Sequence, residues 1–202
     1  MKNKVLLIGN GPSIDRIDFT RISQNVITVG TNRAWMKLIP NYLFFNDPKI
    51  FQELDNCPRE LEQLKKHTKI VSSDWLEKQC VRNRIAMPDY IELYPRPNKK
   101  KFPDCVTTAI DILERNTFSK KDTTFYISGV SLAWKTPSHF WKKNRIEGIG
   151  NDADKKWYDS RFSRILNNFR VLQTRGFNVV SVTPNSRINK YFPYEHISNL
   201  YR

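Results

Sequence analysis

Apolar residues occur in short, often β-branched runs along this chain, each stopped by a polar turn. Val5-Leu6-Leu7-Ile8 ends at Gly9-Asn10-Gly11-Pro12-Ser13, Val26-Ile27-Thr28-Val29 at Gly30-Thr31-Asn32, and Tyr42-Leu43-Phe44-Phe45 at Asn46-Asp47-Pro48. Thr124-Phe125-Tyr126-Ile127 runs into Ser128-Gly129-Val130-Ser131, and Val179-Val180-Ser181-Val182 into Thr183-Pro184-Asn185-Ser186. Runs of this length bounded by turn residues predict strands. Lys69-Ile70-Val71 and Tyr90 to Leu93 read as two more.

Between these runs the spacing becomes helical. Leu61 and Leu64 recur within Pro58 to His67, and Asp74 to Gln79 reads as a further short helix. Val106, Ala109, Ile110 and Leu113 follow Asp104 at i, i+3, i+4, i+7, with Asp104 placed as N-cap. A long helix is expected from Trp157 to Gly176, with Phe162, Ile165, Leu166, Phe169 and Leu172 on one side and Gly176 as its stop. Pro95, Pro97 and Pro103 bracket Lys99-Lys100-Lys101 in a loop, which is either a phosphate contact or a solvated turn.

In an open α/β sheet the ligand crevice lies outside the carboxyl ends of the strands. Asn10, Asn32 and Asn46 are therefore expected to converge there, although each also suits plain turn chemistry. Gly9 and Gly11 can take positive φ and bring the backbone close to a ligand, Ser13 can cap or contact it, and a following helix start would favour phosphate. The turn lacks the third glycine of GxGxxG and the GK[ST] ending of a P-loop, so neither fingerprint is met.

At 202 residues, 39% hydrophobic and 12% aromatic, one globular domain spanning residues 1–202 is expected. No apolar run is long enough for a signal peptide or anchor, which by default predicts a cytoplasmic protein without a membrane anchor. Cys57, Cys80 and Cys105 show no metal-type spacing and read as buried thiols. The net charge of +14 and pI near 9.8 make a polyanion, nucleic acid above all, a serious candidate partner. Trp134 to Arg202 carries a net +8 of it. Within that stretch 134–157 lacks periodicity but holds Lys135, His139, Trp141, Lys142, Lys143, Arg145, Lys155 and Lys156, the texture of a basic lid or acceptor-binding insertion.

Taken in order, these motifs resemble the bacterial sialyltransferases of glycosyltransferase family 42. The resemblance covers Lys4 to Ser13, Val29 to Asn32, Phe44 to Pro48, Asp104 to Leu113, Tyr126 to Val130 and Val179 to Ser186. It implies a Rossmann-like α/β fold, a mostly parallel sheet with helices on both faces, and a CMP-sugar donor used as co-substrate without a metal or other cofactor. It further implies that Gly9, Asn10, Gly11, Pro12, Ser13, Asn32, Asn46, Ser128, Gly129, Pro184, Asn185 and Ser186 handle that donor. Two departures stand out. The family's small Ser-Gly pair beside the donor sugar aligns with Asp104-Cys105, so a carboxylate would face the sugar, and like charges at short range predict a neutral donor sugar, a pentose among the candidates. The family's catalytic histidine aligns near Gly148 to Asp154, leaving His139, Asp152, Asp154 or Glu147 as possible bases. Asp152-Ala153-Asp154 also spells a metal-binding DxD, or else a helix cap; no metal is expected.

The expected activity is inverting glycosyl transfer. Because the chain is so basic, the expected acceptor is a hydroxyl of DNA, such as hydroxymethylcytosine in phage DNA, with the base flipped onto Trp134, Trp141 or Trp157 and Lys99 to Lys101, Lys135, Lys142, Lys143 and Arg145 on the backbone. The alternatives are a sialyltransferase-like enzyme acting on an oligosaccharide, a pterin pyrophosphokinase-like enzyme, and a noncatalytic DNA-binding module.

Overall fold

The computed structural model describes residues 3–95, 104–130 and 152–202. Seven strands form one sheet: β1 (Asn3–Ile8), β2 (Val26–Thr31), β3 (Tyr42–Phe44), β4 (Lys69–Ser73), β5 (Glu92–Tyr94), β6 (Thr123–Ser128) and β7 (Asn178–Ser181). They lie in the order β5-β4-β3-β2-β1-β6-β7, and every pairing is parallel. A parallel sheet is covered on both faces, which is why its strands read as continuous apolar runs.

Five α-helices are described: α1 (Pro48–Asp55), α2 (Pro58–His67), α3 (Asp74–Asn83), α4 (Cys105–Asn116) and α5 (Asp152–Thr174). Side-chain alternation along the strands assigns them to faces. Val5, Leu7, Val29, Phe44, Val71, Phe125, Ile127 and Val179 face one way and pack with Ile110 and Leu113 of α4 and Phe169 and Leu172 of α5. On the opposite face Leu43 and Ile70 meet Leu54, Leu61, Leu64 and Leu76 of α1, α2 and α3. Leu6, Ile8, Tyr126 and Val180 are covered there by shorter 3-10 turns carrying Ile14, Ala34 and Leu200.

The order of strands fixes where a ligand can enter. From β1 the chain steps outward through β2, β3, β4 and β5, then returns to build β6 and β7 on the other side of β1. The connections on either side of β1 diverge, and in open α/β sheets the ligand crevice forms outside the carboxyl ends of the strands at such a point.

Two expectations change. Asn46-Asp47-Pro48 is not only a turn: Asp47 Oδ1 accepts the Lys49 N–H at 3.0 Å and Pro48 takes the first helical position of α1, a helix that the apolar spacing alone does not announce. The long helix also begins at Asp152 rather than Trp157, so residues 152–157 of the expected insertion belong to its backbone. The rest of that insertion and the Lys99 to Lys101 loop lie outside the described residues. No described helix is long and apolar enough to cross a membrane.

Candidate functional site

The glycine turn after β1 is locked into the end of β6. The Gly9 N–H donates to Ser128 O at 2.8 Å and the Gly11 N–H to Gly129 O at 2.7 Å. A Cβ on Gly9 or Gly11 would lie 2.7 Å from Gly129 O, and Gly129 itself has φ +70° with a would-be Cβ 2.7 Å from Ile14 Cγ2. These glycines are required because two backbones touch. Neither Gly9 nor Gly11 takes positive φ, and Gly11 sits at φ −69° in extended backbone. Their N–H groups are engaged by β6 carbonyls, and the next element is a five-residue 3-10 turn, Pro12–Arg16, so the expected phosphate cradle at a helix start is corrected. The side chains of Asn10 and Ser13 remain to meet a ligand.

From that turn a line of polar groups runs along the carboxyl edge of the sheet. Asn10 Nδ2 donates to Thr31 Oγ1 at 3.3 Å, whose hydroxyl donates to Ile8 O at 3.0 Å, tying the ends of β1 and β2. Asn32, held at φ +48°, accepts the Cys105 S–H on its Oδ1 at 3.3 Å. Asn46 Oδ1 accepts from Ser73 Oγ at 2.6 Å, Ser72 Oγ at 3.2 Å and Ser73 N–H at 3.3 Å, which joins β3 to β4. On the other side, Ser186 Oγ donates to Val130 O at 2.5 Å and brings the turn after β7 against the end of β6. Pro184 and Asn185 are exposed at that turn, Asn185 at φ +57°.

Four buried polar atoms on this edge have no partner among the described residues: Asn10 Oδ1, Ser13 Oγ, Ser128 Oγ and Asn46 Nδ2. An unsatisfied buried group costs about 1–3 kcal/mol, so three of them at the ends of β1 and β6, and a fourth at the end of β3, mark an edge where a ligand or water would supply the missing partners. Both acceptors and donors are on offer, with little formal charge. Sequence reasoning does not single out Thr31, Ser72 or Ser73, although Ser72-Ser73 repeats the pattern of a strand ending in polar residues.

Asp104 caps α4. Its Oδ1 accepts the Thr107 N–H at 2.8 Å, and its Oδ2 accepts the Thr107 hydroxyl and Asn168 Nδ2, the latter at 2.8 Å, fastening α5 to α4. Burial pushes its carboxyl above the usual range, opposed by the hydrogen bonds from Thr107 and Asn168. Both carboxylate oxygens are thus engaged as cap and tether, and Cys105 is the next residue on the helix, its thiol turned to Asn32. That thiol is pushed up to about 12, by burial first and by the Asp104 charge second, and is inert as a nucleophile at neutral pH.

His139, Lys99, Lys100, Lys101, Lys135, Trp141, Lys142, Lys143, Arg145, Glu147 and Trp134 lie outside the described residues; Asp152, Asp154 and Trp157 are described by backbone alone. Among the described residues, no three His, Cys, Asp or Glu side chains group as a metal site.

Solved sialyltransferases share this fold. Sialyltransferase CstII from Campylobacter jejuni, in complex with the substrate analogue CMP-3FNeuAc, superposes with a TM-score of 0.59 at 16% identity, over 96% of this chain and 86% of that one. The monofunctional α-2,3-sialyltransferase Cst-I from the same organism gives 0.57 at 14% identity, over 96% and 80%. CST-II in complex with a trisaccharide acceptor and CMP gives 0.55 at 13%, over 95% and 85%. No family model matches the chain, and no curated protein matches it in sequence. At such identities the likeness establishes the Rossmann-like architecture.

Proposed function

We propose that this protein is a metal-independent, inverting glycosyltransferase that binds a CMP-linked neutral sugar across the carboxyl edge of its sheet and transfers the sugar to a hydroxyl of DNA, hydroxymethylcytosine being the specific form tested. The observation that carries the reading is the set of orphaned polar atoms of Asn10, Ser13 and Ser128 at the β1/β6 switch point, with that of Asn46 farther along the same edge at the end of β3. Their neutral amides and hydroxyls suit a pyrimidine nucleotide and a hydroxylated sugar. The fold shared with proteins solved in complex with CMP and a CMP-sugar analogue supports the same donor class.

In the reaction, the acceptor oxygen attacks the anomeric carbon from the face opposite the phosphate. The new C–O bond forms as the bond to the phosphate oxygen breaks, CMP leaves with the electron pair, and a base takes the acceptor proton. Asn10 and Ser128 hold the nucleotide, and Asn32, Asn46 and Cys105 bound the sugar. Asp104 saturates the positive end of α4 and Asp47 lies within electrostatic reach of Cys105, so an anionic sugar would be repelled where a neutral one is accepted. The base is sought among His139, Glu147, Asp152 and Asp154.

The DNA clause rests on the net charge of +14. The test is to incubate the protein with DNA containing or lacking hydroxymethylcytosine and with candidate nucleotide sugars, then weigh the nucleosides. A mass increase of one sugar on hydroxymethylcytosine alone supports the proposal. Transfer to free oligosaccharide and never to DNA refutes the acceptor, and release of AMP from ATP with metal dependence would point to a pyrophosphokinase instead.

A further inference from the structure

A cleft of about 530 Å³ opens at the carboxyl ends of β3 and β4, between α1 and α3, and its lining includes Asn46, Gln52, Trp75, Gln79 and Asn83. Its volume is within the usual range of small-ligand pockets. Asn46 joins it to the polar edge described above. Because the Ser73 N–H donates to Oδ1, the carboxamide orientation is fixed, and the buried Nδ2 of this cleft-lining residue is left without a partner. The remaining lining offers three more carboxamides, the half-buried indole of Trp75, and one carboxylate, Asp47, balanced by one ammonium, Lys49. Such a wall suits an uncharged planar ring with a hydrogen-bonding edge.

Next to the cleft-lining Asn83 in sequence, at the end of α3, stand Arg82 and Arg84; both are exposed, and neither makes an ion pair among the described residues. A largely neutral slot with exposed arginines on the neighbouring helix end suits a base inside and phosphates outside. A saccharide would use the indole and amides but leave the arginines without a role.

We infer that this cleft is the acceptor pocket, in which a pyrimidine turned out of the duplex stacks on Trp75, meets the carboxamides of Asn46, Gln52, Gln79 and Asn83 at its edge, and is flanked by phosphates on Arg82 and Arg84. The inference rests on the DNA reading and gives it an address. It places the acceptor beside Asn46, at the end of the line that would hold the donor, and it moves the stacking platform from the tryptophans of 134–157 to Trp75.

The test uses the whole chain and a duplex carrying 2-aminopurine beside one hydroxymethylcytosine, since 2-aminopurine brightens when its neighbour leaves the stack. Wild-type protein is expected to raise its fluorescence. Trp75→Ala is expected to lose the rise and to bind a hydroxymethylcytosine single strand about tenfold more weakly, with Trp75→Phe restoring much of both. Gln79→Ala, at a partly exposed position with little folding risk, should lower the rise as well. Arg82→Ala combined with Arg84→Gly, which suits the left-handed cap at position 84, should reduce the slope of log affinity against log salt by about 2. A full rise in both Trp75→Ala and Gln79→Ala, each folded by circular dichroism, would overturn the assignment while leaving DNA as acceptor. No binding of wild type to any duplex would instead refute the DNA reading itself. Quenching of tryptophan fluorescence by a neutral oligosaccharide, lost in Trp75→Phe, would give the cleft to a saccharide and overturn the inference.

Discussion

Two glycines in the left-handed region separate backbone strain from backbone contact. Gly176 has φ +78° and nothing within 4 Å of a would-be Cβ, whereas Gly129 has φ +70° and a would-be Cβ 2.7 Å from Ile14 Cγ2 and 2.8 Å from the Gly9 carbonyl carbon. In Gly176→Ala the left-handed conformation costs about 1 kcal/mol, and the stiffer unfolded chain returns about 0.5 kcal/mol. The net loss is under about 1 kcal/mol, or roughly 1–3 °C in Tm for a chain of this size. Gly129→Ala carries the same strain and must also push apart Ile14 and the Gly9 backbone, an overpacking cost of about 1–3 kcal/mol. With the same return from the unfolded chain, the net is about 1.5–3.5 kcal/mol, a Tm drop of roughly 3–14 °C. Thermal melts followed by circular dichroism, with urea midpoints as a second measure, read both variants. If Gly129→Ala melts no lower than Gly176→Ala, the β1 turn is not interlocked with β6 and the geometry of the nucleotide wall is wrong.

Asp104→Ala removes the α4 cap, worth about 1 kcal/mol, and strands the Thr107 and Asn168 donors at about 1–3 kcal/mol more, so its melt should fall by several degrees while the folded fraction still transfers sugar. Abolished turnover at unchanged stability would restore it as a base. For Cys105 the folded thiol lies at about 12 against an ordinary 9.0, so its contribution is complete below pH 9 and is lost as pH rises towards 12. The wild-type urea midpoint should therefore fall more steeply over that window than that of Cys105→Ala; parallel profiles would contradict the burial of the thiol. With the positive end of α4 already taken by Asp104, a CMP-linked neutral sugar should be turned over at least about tenfold faster, by kcat/KM, than CMP-sialic acid. The reverse preference would refute the neutral donor.

The strands were legible because a sheet buried on both faces demands unbroken apolar runs, and Asp104 was legible as a cap because the i, i+3, i+4, i+7 pattern begins directly behind it. The asparagines at the strand ends could be brought to one edge by the parallel topology alone. What escaped were the consequences of register between distant segments. Nothing local says that Gly9 and Gly11 meet Gly129, so the sequence suggests conformational freedom at positions that close contact explains. Asn46-Asp47-Pro48 carries the residues of a turn and of a helix start equally well, and the packing of Ile50, Phe51 and Leu54 decides for the helix. Trp75 and the α1/α3 cleft were invisible because the two walls come from segments that only the sheet order brings together.

The central claim is that the carboxyl edge at β1 and β6 is a CMP pocket. Isothermal titration with CMP tests it most directly, using wild type and Asn10→Ala. The account predicts one CMP per chain in the wild type, and affinity at least about tenfold weaker in Asn10→Ala with DNA binding retained within about twofold, since a nucleotide contact is lost and no phosphodiester contact is touched. A wild type that gives no heat with CMP, or an Asn10→Ala protein that binds CMP as tightly as wild type, would contradict it; equal loss of CMP and DNA would make Asn10 a structural residue.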